Sequence, residues 1–520
     1  MIRVSEAWKE THNEQLLPET FVEVEYRVSE PGLQADASLT ATLEESFSEA
    51  ETIVDALTKT PEKYGTLEWN SWGLDGTFEY FDGTPVDPGY TTSELSGASS
   101  LFTALPTITI TFSETHTVLI PGISIKWSDV YEEWASRFRI TAYRGNTQVT
   151  QLTVTDNNSV TSNVNMDLQN FDKIVIEVLE WCLPYRRARA IDIFLGLKII
   201  YTKNDLIAFS HSQSVDLLSA TLPNNEVTFS LRNDDSKWNP DNPTGNEKYL
   251  QEQQEVIVRY GMDVDDSREW IDAGRFWLSE WSTPSNGLEA SFTARDSLDF
   301  MHEIYVGSKS GTLYEIALQA FRQANLPVLE DGSERFVVDS VLYNYSTDFS
   351  ADDTEYTIAE VLQMVAHAGC CVLYQDRSGR VHMKQHEGTL SDYVVDQNNS
   401  YSHPEYELSK PLKSVVVSYG EDRKVTVGGA ASGEVQTVDN PLITTIQDAS
   451  RVGGATHDVL LGRKTLSGEF RADPRLDALD VITVRSKYAD NVVTVTDVEY
   501  TTTGGAMKGT YRGRVNTQEG

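Results

Sequence analysis

The segment Thr107 to Phe112 reads Thr-Ile-Thr-Ile-Thr-Phe, with every second residue apolar. Period-two alternation suits a backbone that sends successive side chains to opposite faces, which a strand does and a helix does not. The pattern returns along the whole chain. It appears at Thr20–Val28, Arg137–Tyr143, Val149–Thr155, Lys173–Leu179, Ala190–Leu195, Leu206–His211 and Val227–Leu231. Further on, Val256–Tyr260, Ser414–Tyr419, Asp480–Arg485, Val492–Tyr500 and Gly509–Val515 also read as strands, rich in β-branched and aromatic residues. Turn-forming residues such as Pro121-Gly122, Gly145-Asn146 and Asp156-Asn157-Asn158 separate the runs. The chain is therefore predicted to be mostly β. Its 520 residues exceed what one core organises, so several domains are expected. No fixed-period repeat runs through it, which excludes a solenoid.

Two segments break the β pattern. Thr312–Ala324 and Thr357–Ala368 place apolar residues at helical spacing, and each begins with Thr followed three residues later by Glu (Glu315 and Glu360). That is a capping box. Gly369 follows the second helix as an expected stop. Glu6 to Glu14 predicts a shorter helical piece. The stripes Leu313, Ile316, Ala317, Ala320, Phe321 and Ile358, Val361, Leu362, Val365 are read as core. A mostly β chain with a small α+β domain follows, the remaining strands grouping on either side of it.

The formal net charge is −37, from 79 acidic and 42 basic residues. Such a surface repels phosphate backbones and anionic lipid heads, which argues against nucleic acid or membrane as a main partner. Cys182, Cys370 and Cys371 show no disulfide framework and read as small core residues. The start, Met1-Ile-Arg-Val-Ser-Glu, lacks the apolar stretch of a signal peptide, and no run approaches the roughly 20 apolar residues of a membrane span. A cytoplasmic site of synthesis is expected.

Motifs that carry chemistry are missing from the sequence. There is no His-Glu-x-x-His, no Gly-x-Ser-x-Gly and no phosphate loop; Gly462-Arg-Lys-Thr465 lacks the Gly-Lys core of one. His382 and His386 are four apart but fall on a predicted strand and turn, where that spacing does not bring two imidazoles together. The loop Asp234–Asn242 carries oxygen ligands without the Gly and closing Glu of a calcium loop. No catalytic residue, metal or cofactor is assigned.

Four stretches, in order, resemble the tail hub family of long-tailed phages and prophages. They are Val4-Ser-Glu-Ala-Trp-Lys-Glu, Val227-Thr-Phe-Ser-Leu-Arg-Asn-Asp-Asp with the Asn239-Pro-Asp loop, Ile358 to Gly369 with Asp376-Arg-Ser-Gly-Arg-Val, and Ser467-Gly-Glu-Phe-Arg-Ala-Asp-Pro-Arg-Leu-Asp-Ala-Leu-Asp-Val-Ile. Residues 61–199 resemble something else, the galactose-binding-like jelly rolls of discoidin type. Pro106 to Phe112, Pro121-Gly-Ile-Ser-Ile, Phe138 to Tyr143, Phe171 to Val178 and Arg186 to Gly196 carry that likeness. The expected division is then 1–60 and 200–300 as a first hub barrel, 61–199 as an inserted β-sandwich, 301–400 as the α+β domain and 401–520 as a second hub barrel.

The hub resemblance implies a homotrimer whose two barrels per subunit make a pseudo-sixfold ring. Such a ring adapts a sixfold tail to a threefold tip and leaves a channel through which genome DNA passes without specific binding. It implies the distal tail protein ring, the tail tube and the tape-measure protein as neighbours, and a virion tail-tip location after assembly in host cytoplasm. The chain ends at Gly520, just past the last predicted strand, so a lysin, fibre or receptor-binding protein is expected on another polypeptide. The sandwich resemblance implies a carbohydrate alternative: an adhesin for host surface glycan. Aromatic rings stack on sugars and arginine donates to hydroxyls. Trp127, Tyr131, Trp134, Tyr185, Arg186 and Arg187 are the candidates, against the plainer expectation that the tryptophans pack and the arginines pair with carboxylates.

Overall fold

The computed structural model describes residues 1–14, 19–55, 64–66, 68–69, 79–80, 87–242, 245–264, 267–284, 287–326, 329, 333–420, 423–503 and 506–516. Its strands outweigh its helices, and the largest sheet has 13 strands.

One half of that sheet orders its strands Leu197–Tyr201, Thr20–Val28, Glu255–Val264, Ser267–Ser282, Glu289–Arg295, Asn224–Arg232 and Leu206–Ser214. The two end strands of this half are consecutive in sequence, joined only by residues 202–205, where Asp205 N–H donates to the Thr202 carbonyl. So short a link keeps one end of each edge strand near the other, so the half is curled, but among the described residues no ladder joins the two edges. The other half contains Asp490–Thr503, Ala506–Val515, Lys464–Arg471, Glu405–Leu408, Val481–Arg485 and Leu390–Val395. It curls too: the chain leaving Leu390–Val395 bridges Ser400 to Phe470, and Arg471 N–H reaches the Asn399 carbonyl.

The halves meet along one antiparallel seam. Phe209 pairs with Thr502 and the register continues to Ser214 against Asp497. A single apolar core crosses it, taking Tyr26, Phe229, Tyr260 and Phe276 from one side and Phe470, Leu476, Val493 and Tyr500 from the other. His211 is locked in the seam, with Nδ1 2.8 Å from the Tyr260 hydroxyl and Nε2 3.0 Å from Asn225 Oδ1. Burial holds this imidazole well below its ordinary pKa, at about 4, so it is a neutral spacer.

Between Val28 and Leu197 the chain leaves the first barrel and comes back. Those two residues are themselves register partners, so the excursion departs and returns at one point. It forms two facing antiparallel sheets. One holds Thr147–Val154, Ala135–Arg144, Phe171–Trp181, Thr107–His116 and Ser38–Ala41; the other holds Thr161–Leu168, Ile120–Trp127, Arg189–Phe194 and Tyr90–Thr91. Their inward residues make a separate core around Trp127, Phe138, Phe171 and Trp181. Leu33, Leu39, Ala50 and Ile53 join this core. Residues from 33 on, expected with the barrel, pack here because their strand Ser38–Ala41 finds the open edge of Thr107–His116.

Both capping boxes form. Thr312 Oγ1 accepts from Glu315 N–H while Glu315 accepts from Thr312 N–H, and Thr357 with Glu360 does the same. Thr357→Ala should cost about 1 kcal/mol of stability by denaturant unfolding, the usual worth of a cap, and no change would show that the box is ornamental. The helix Ile358–Gly369 stops differently from expectation. Gly369 is its last helical residue, and Cys370 takes the left-handed turn at φ 53°. A Cβ at 369 would meet Leu342 Cδ2 at 2.2 Å, so a larger residue there would require the Leu342 side chain to shift.

The region after 408 is not all strand. Ile446–Leu461 is a helix capped by Thr445, packed on Leu412–Tyr419. Ala449 and Val452 share a core with Phe321, Leu362, Val365, Val415 and Val417. The α+β unit thus draws on residues 412–461 as well as those from 301, which narrows the second barrel.

Candidate functional site

The residues named for sugar contact are dispersed in depth. Trp127 is 0% exposed. Its strand ends with the ring turned inward, edge-on to Phe138 at 5.2 Å and to Trp181 at 5.9 Å, with Nε1 donating to Ser162. Trp127 as a sugar platform is therefore corrected: it is the centre of the sandwich core. Trp134 is half-buried and its Nε1 donates to the Asn157 carbonyl. Tyr131 is half-buried beneath the Arg189 guanidinium, 4.4 Å from its ring centre.

The arginines face carboxylates. Arg186 is buried with Nε 3.3 Å from Glu133, whose other oxygen takes the Trp181 indole N–H at 2.8 Å. Burial raises the Glu133 pKa, a rise that Trp181 and Arg186 counter. Arg187 Nη1 reaches Glu45 at 3.0 Å and the Thr92 carbonyl at 2.5 Å. Glu68 receives Arg189 and the Arg187 backbone N–H. It is buried, and its partners nevertheless hold its carboxyl below the ordinary value. This network closes one end of the sandwich from inside. Of the six candidates only Tyr185 is well exposed, at 43%, and its ring meets Trp69 edge-on at 6.1 Å. Trp69 is 64% exposed, and no period in its aromatic-rich stretch marks which face it takes.

A different constellation sits where the two barrels and the α+β unit meet. The turn Asp376 to Arg380 is wound tight by the Asp376 carboxylate, which accepts from Ser378 and Arg380 N–H and faces His382 Nε2 at 2.7 Å. That turn aims Arg377 into the junction. Its Nε and Nη2 grip Asp477 at 2.8–2.9 Å, Nη2 also reaches the Pro474 carbonyl at 2.8 Å, and Nη1 donates to the Asp272 carbonyl at 2.7 Å. Asp272 belongs to the first barrel, beside a bulge opposite Val258 and Arg259; Pro474 and Asp477 belong to the second. Tyr500 donates to the carbonyls of Asp473 and Leu476 in the same loop, and the Met1 amino group pairs with Asp480. The Asp-Pro turn, singled out from sequence as a motif, is thus a socket for Arg377.

No family model matches the chain, and no curated protein does. Solved structures of tail proteins do resemble it. A 43 kDa tail protein of prophage MuSo2 from Shewanella oneidensis aligns over 61% of this chain and 94% of its own, at 12% identity and TM-score 0.41. A tail protein from Neisseria meningitidis aligns over 61% and 93%, at 10% identity and TM-score 0.41. A type VI secretion component from E. coli aligns over 60% and 74%, at 10% identity and TM-score 0.34.

Among the described residues no group of three His, Cys, Asp or Glu is arranged to hold a metal. His382 binds Asp376, and burial lowers the pKa of His386. Burial pushes the Cys371 thiol up to about 12 and Cys182 up to about 11, far from a reactive thiolate. The junction ties the three units together through buried, charge-assisted hydrogen bonds of Arg377.

Proposed function

We propose that this chain is a structural subunit of a phage-like tail tip, a hub in which rigidity and not turnover is the task. The observation that carries the reading is the seam. Two curled half-sheets share one ladder and one core, and Arg377 ties both to the α+β unit. A part that must carry load between a tube and a tip needs domains that cannot swing, whereas free domain motion is the default for units joined by small interfaces. Three copies, each contributing two barrels, would present six similar barrels to a sixfold tail ring and a threefold face to the tip.

In this reading the neighbours are the distal tail ring, the tail tube and the tape-measure protein. The surplus of acidic residues lets a DNA-filled channel run without sticking. The sandwich, a side excursion from the first barrel, is free to contact another tail protein. The carbohydrate alternative loses its main support with Trp127 in the core and the arginines paired inward. A gold label on this chain in assembled particles should appear at the tail tip by electron microscopy. Label along the tail shaft, or absent from particles, would overturn the assignment.

A further inference from the structure

A groove of about 1080 Å³ runs between the seam of the barrels and the α+β unit. One wall is Gln436, Thr437 and Val438, the C-terminal part of the strand Glu434–Val438. That strand is the last in its sheet, pairing only with Leu412–Tyr419, and Glu434 to Thr437 are exposed. The loop after Ser214, the bulge at Thr496 and Asp497 within the strand Asp490–Thr503, and the helices Ile358–Gly369 and Ile446–Leu461 line the rest. A terminal strand beside an open groove presents unpaired backbone N–H and C=O groups, a template for another strand.

The walls are charged in one sense. Asp216, Asp352, Glu360, Asp439 and Asp497 line the groove against a single guanidinium, that of Arg514. These carboxylates are held by neutral donors: Asp216 by Leu218 and Ala220 N–H, Asp352 by Thr354 N–H and Tyr356, Asp497 by Ser214 and Thr496 hydroxyls. Glu360 serves its capping box. Arg514 gives its Nη1 to the Val459 and Gly462 carbonyls. The groove therefore combines an open strand edge with a negative field that Arg514, near Asp216, and Lys309, near Asp352, offset only in part.

We infer that this groove takes an extended, lysine- or arginine-rich segment of a partner protein, added as a strand to the edge Glu434–Val438. Five residues of edge span about 17 Å at roughly 3.3 Å per residue, enough to order a segment of similar length. Alternate side chains of such a segment face opposite ways, so basic residues at every second position meet the carboxylates. The intervening apolar ones lie by Leu222, 42% exposed, and Leu218. This inference stands on the groove alone and survives or fails independently of the tail assignment.

The test uses the full chain and a fluorescent ten-residue peptide of alternating lysine and valine. Binding is expected, with hydrogen-exchange protection confined to residues 434–438 and the groove loop. A charge-matched peptide of alternating lysine and proline, which cannot supply ladder donors at those positions, should bind about tenfold more weakly or worse. The double variant Asp439→Asn, Asp497→Asn should weaken the lysine–valine peptide to a similar degree with its melting curve unchanged. No binding, equal binding of both peptides, or protection elsewhere would overturn the inference.

Discussion

Replacing Arg377 by alanine should cost about 3–5 kcal/mol and should split unfolding into two steps. The side chain is almost wholly buried, at 8% exposure, and its removal leaves the Asp477 carboxylate without its cation and the carbonyls of Asp272 and Pro474 without donors. Unpaired buried groups carry the full desolvation cost, which is why the loss exceeds that of a surface ion pair. The three units are joined at this point, so their melting should decouple once it is gone. Arg377→Lys keeps the charge but not the fork that reaches two barrels at once, and should recover less than half. Guanidinium unfolding of the full chain checks this. A single transition shifted by under about 1 kcal/mol would show that the junction is not held by Arg377.

The second large effect is a pH dependence centred on Asp296. This residue ends the last strand of the first barrel and caps the turn Ser297–Phe300, with one carboxylate oxygen accepting from Leu298 N–H. The other oxygen is buried with no partner. Burial pushes its pKa up to about 7, Asp299 adding to the rise and backbone N–H groups opposing it. Its unfolded value is about 3.9. The folded chain therefore holds a proton that the unfolded chain has released, so the contribution of this group is fully present below about pH 4 and is lost as pH climbs to about 7. Three pKa units correspond to about 4 kcal/mol at most. Asp296→Asn keeps a capping side chain and removes the titration. The variant should match the parent near pH 4.5 and exceed it by about 2–4 kcal/mol at pH 8. Parallel stability–pH curves for the two chains would contradict this.

Much of the fold is legible in the sequence where one physical signal acts alone. Thr20–Val28 is found to the residue because apolar and charged residues alternate from Val22 to Val28. The two capped helices are found because Thr and Glu at three residues leave little choice at a helix start. The helix Ile446–Leu461 is hidden by Gly453-Gly454, which lowers its propensity by about 1 kcal/mol per glycine. The structure shows why Gly453 stands there: a Cβ would meet Val427 Cγ2 at 2.8 Å, so the helix trades propensity for close approach to its sheet.

The candidate site was less legible, for a different reason. Trp127, Tyr131 and Trp134 are neighbours in sequence, and proximity in sequence does not tell which face of a strand end a ring takes. Trp127 goes inward because Phe138 and Trp181 wait there. Arg377 looked like an ordinary turn residue. Its role depends on carbonyls about 100 residues away on either side, a relation that no local pattern encodes.

The proposed tail-tip hub would be a ring of three copies of this two-barrel subunit. Native mass spectrometry of the purified full chain, taken through a dilution series, tests it most directly. The account predicts a species of three chain masses that dissociates to monomer without a stable dimer plateau. A chain that stays monomeric at every concentration, or that settles as a dimer, would contradict it.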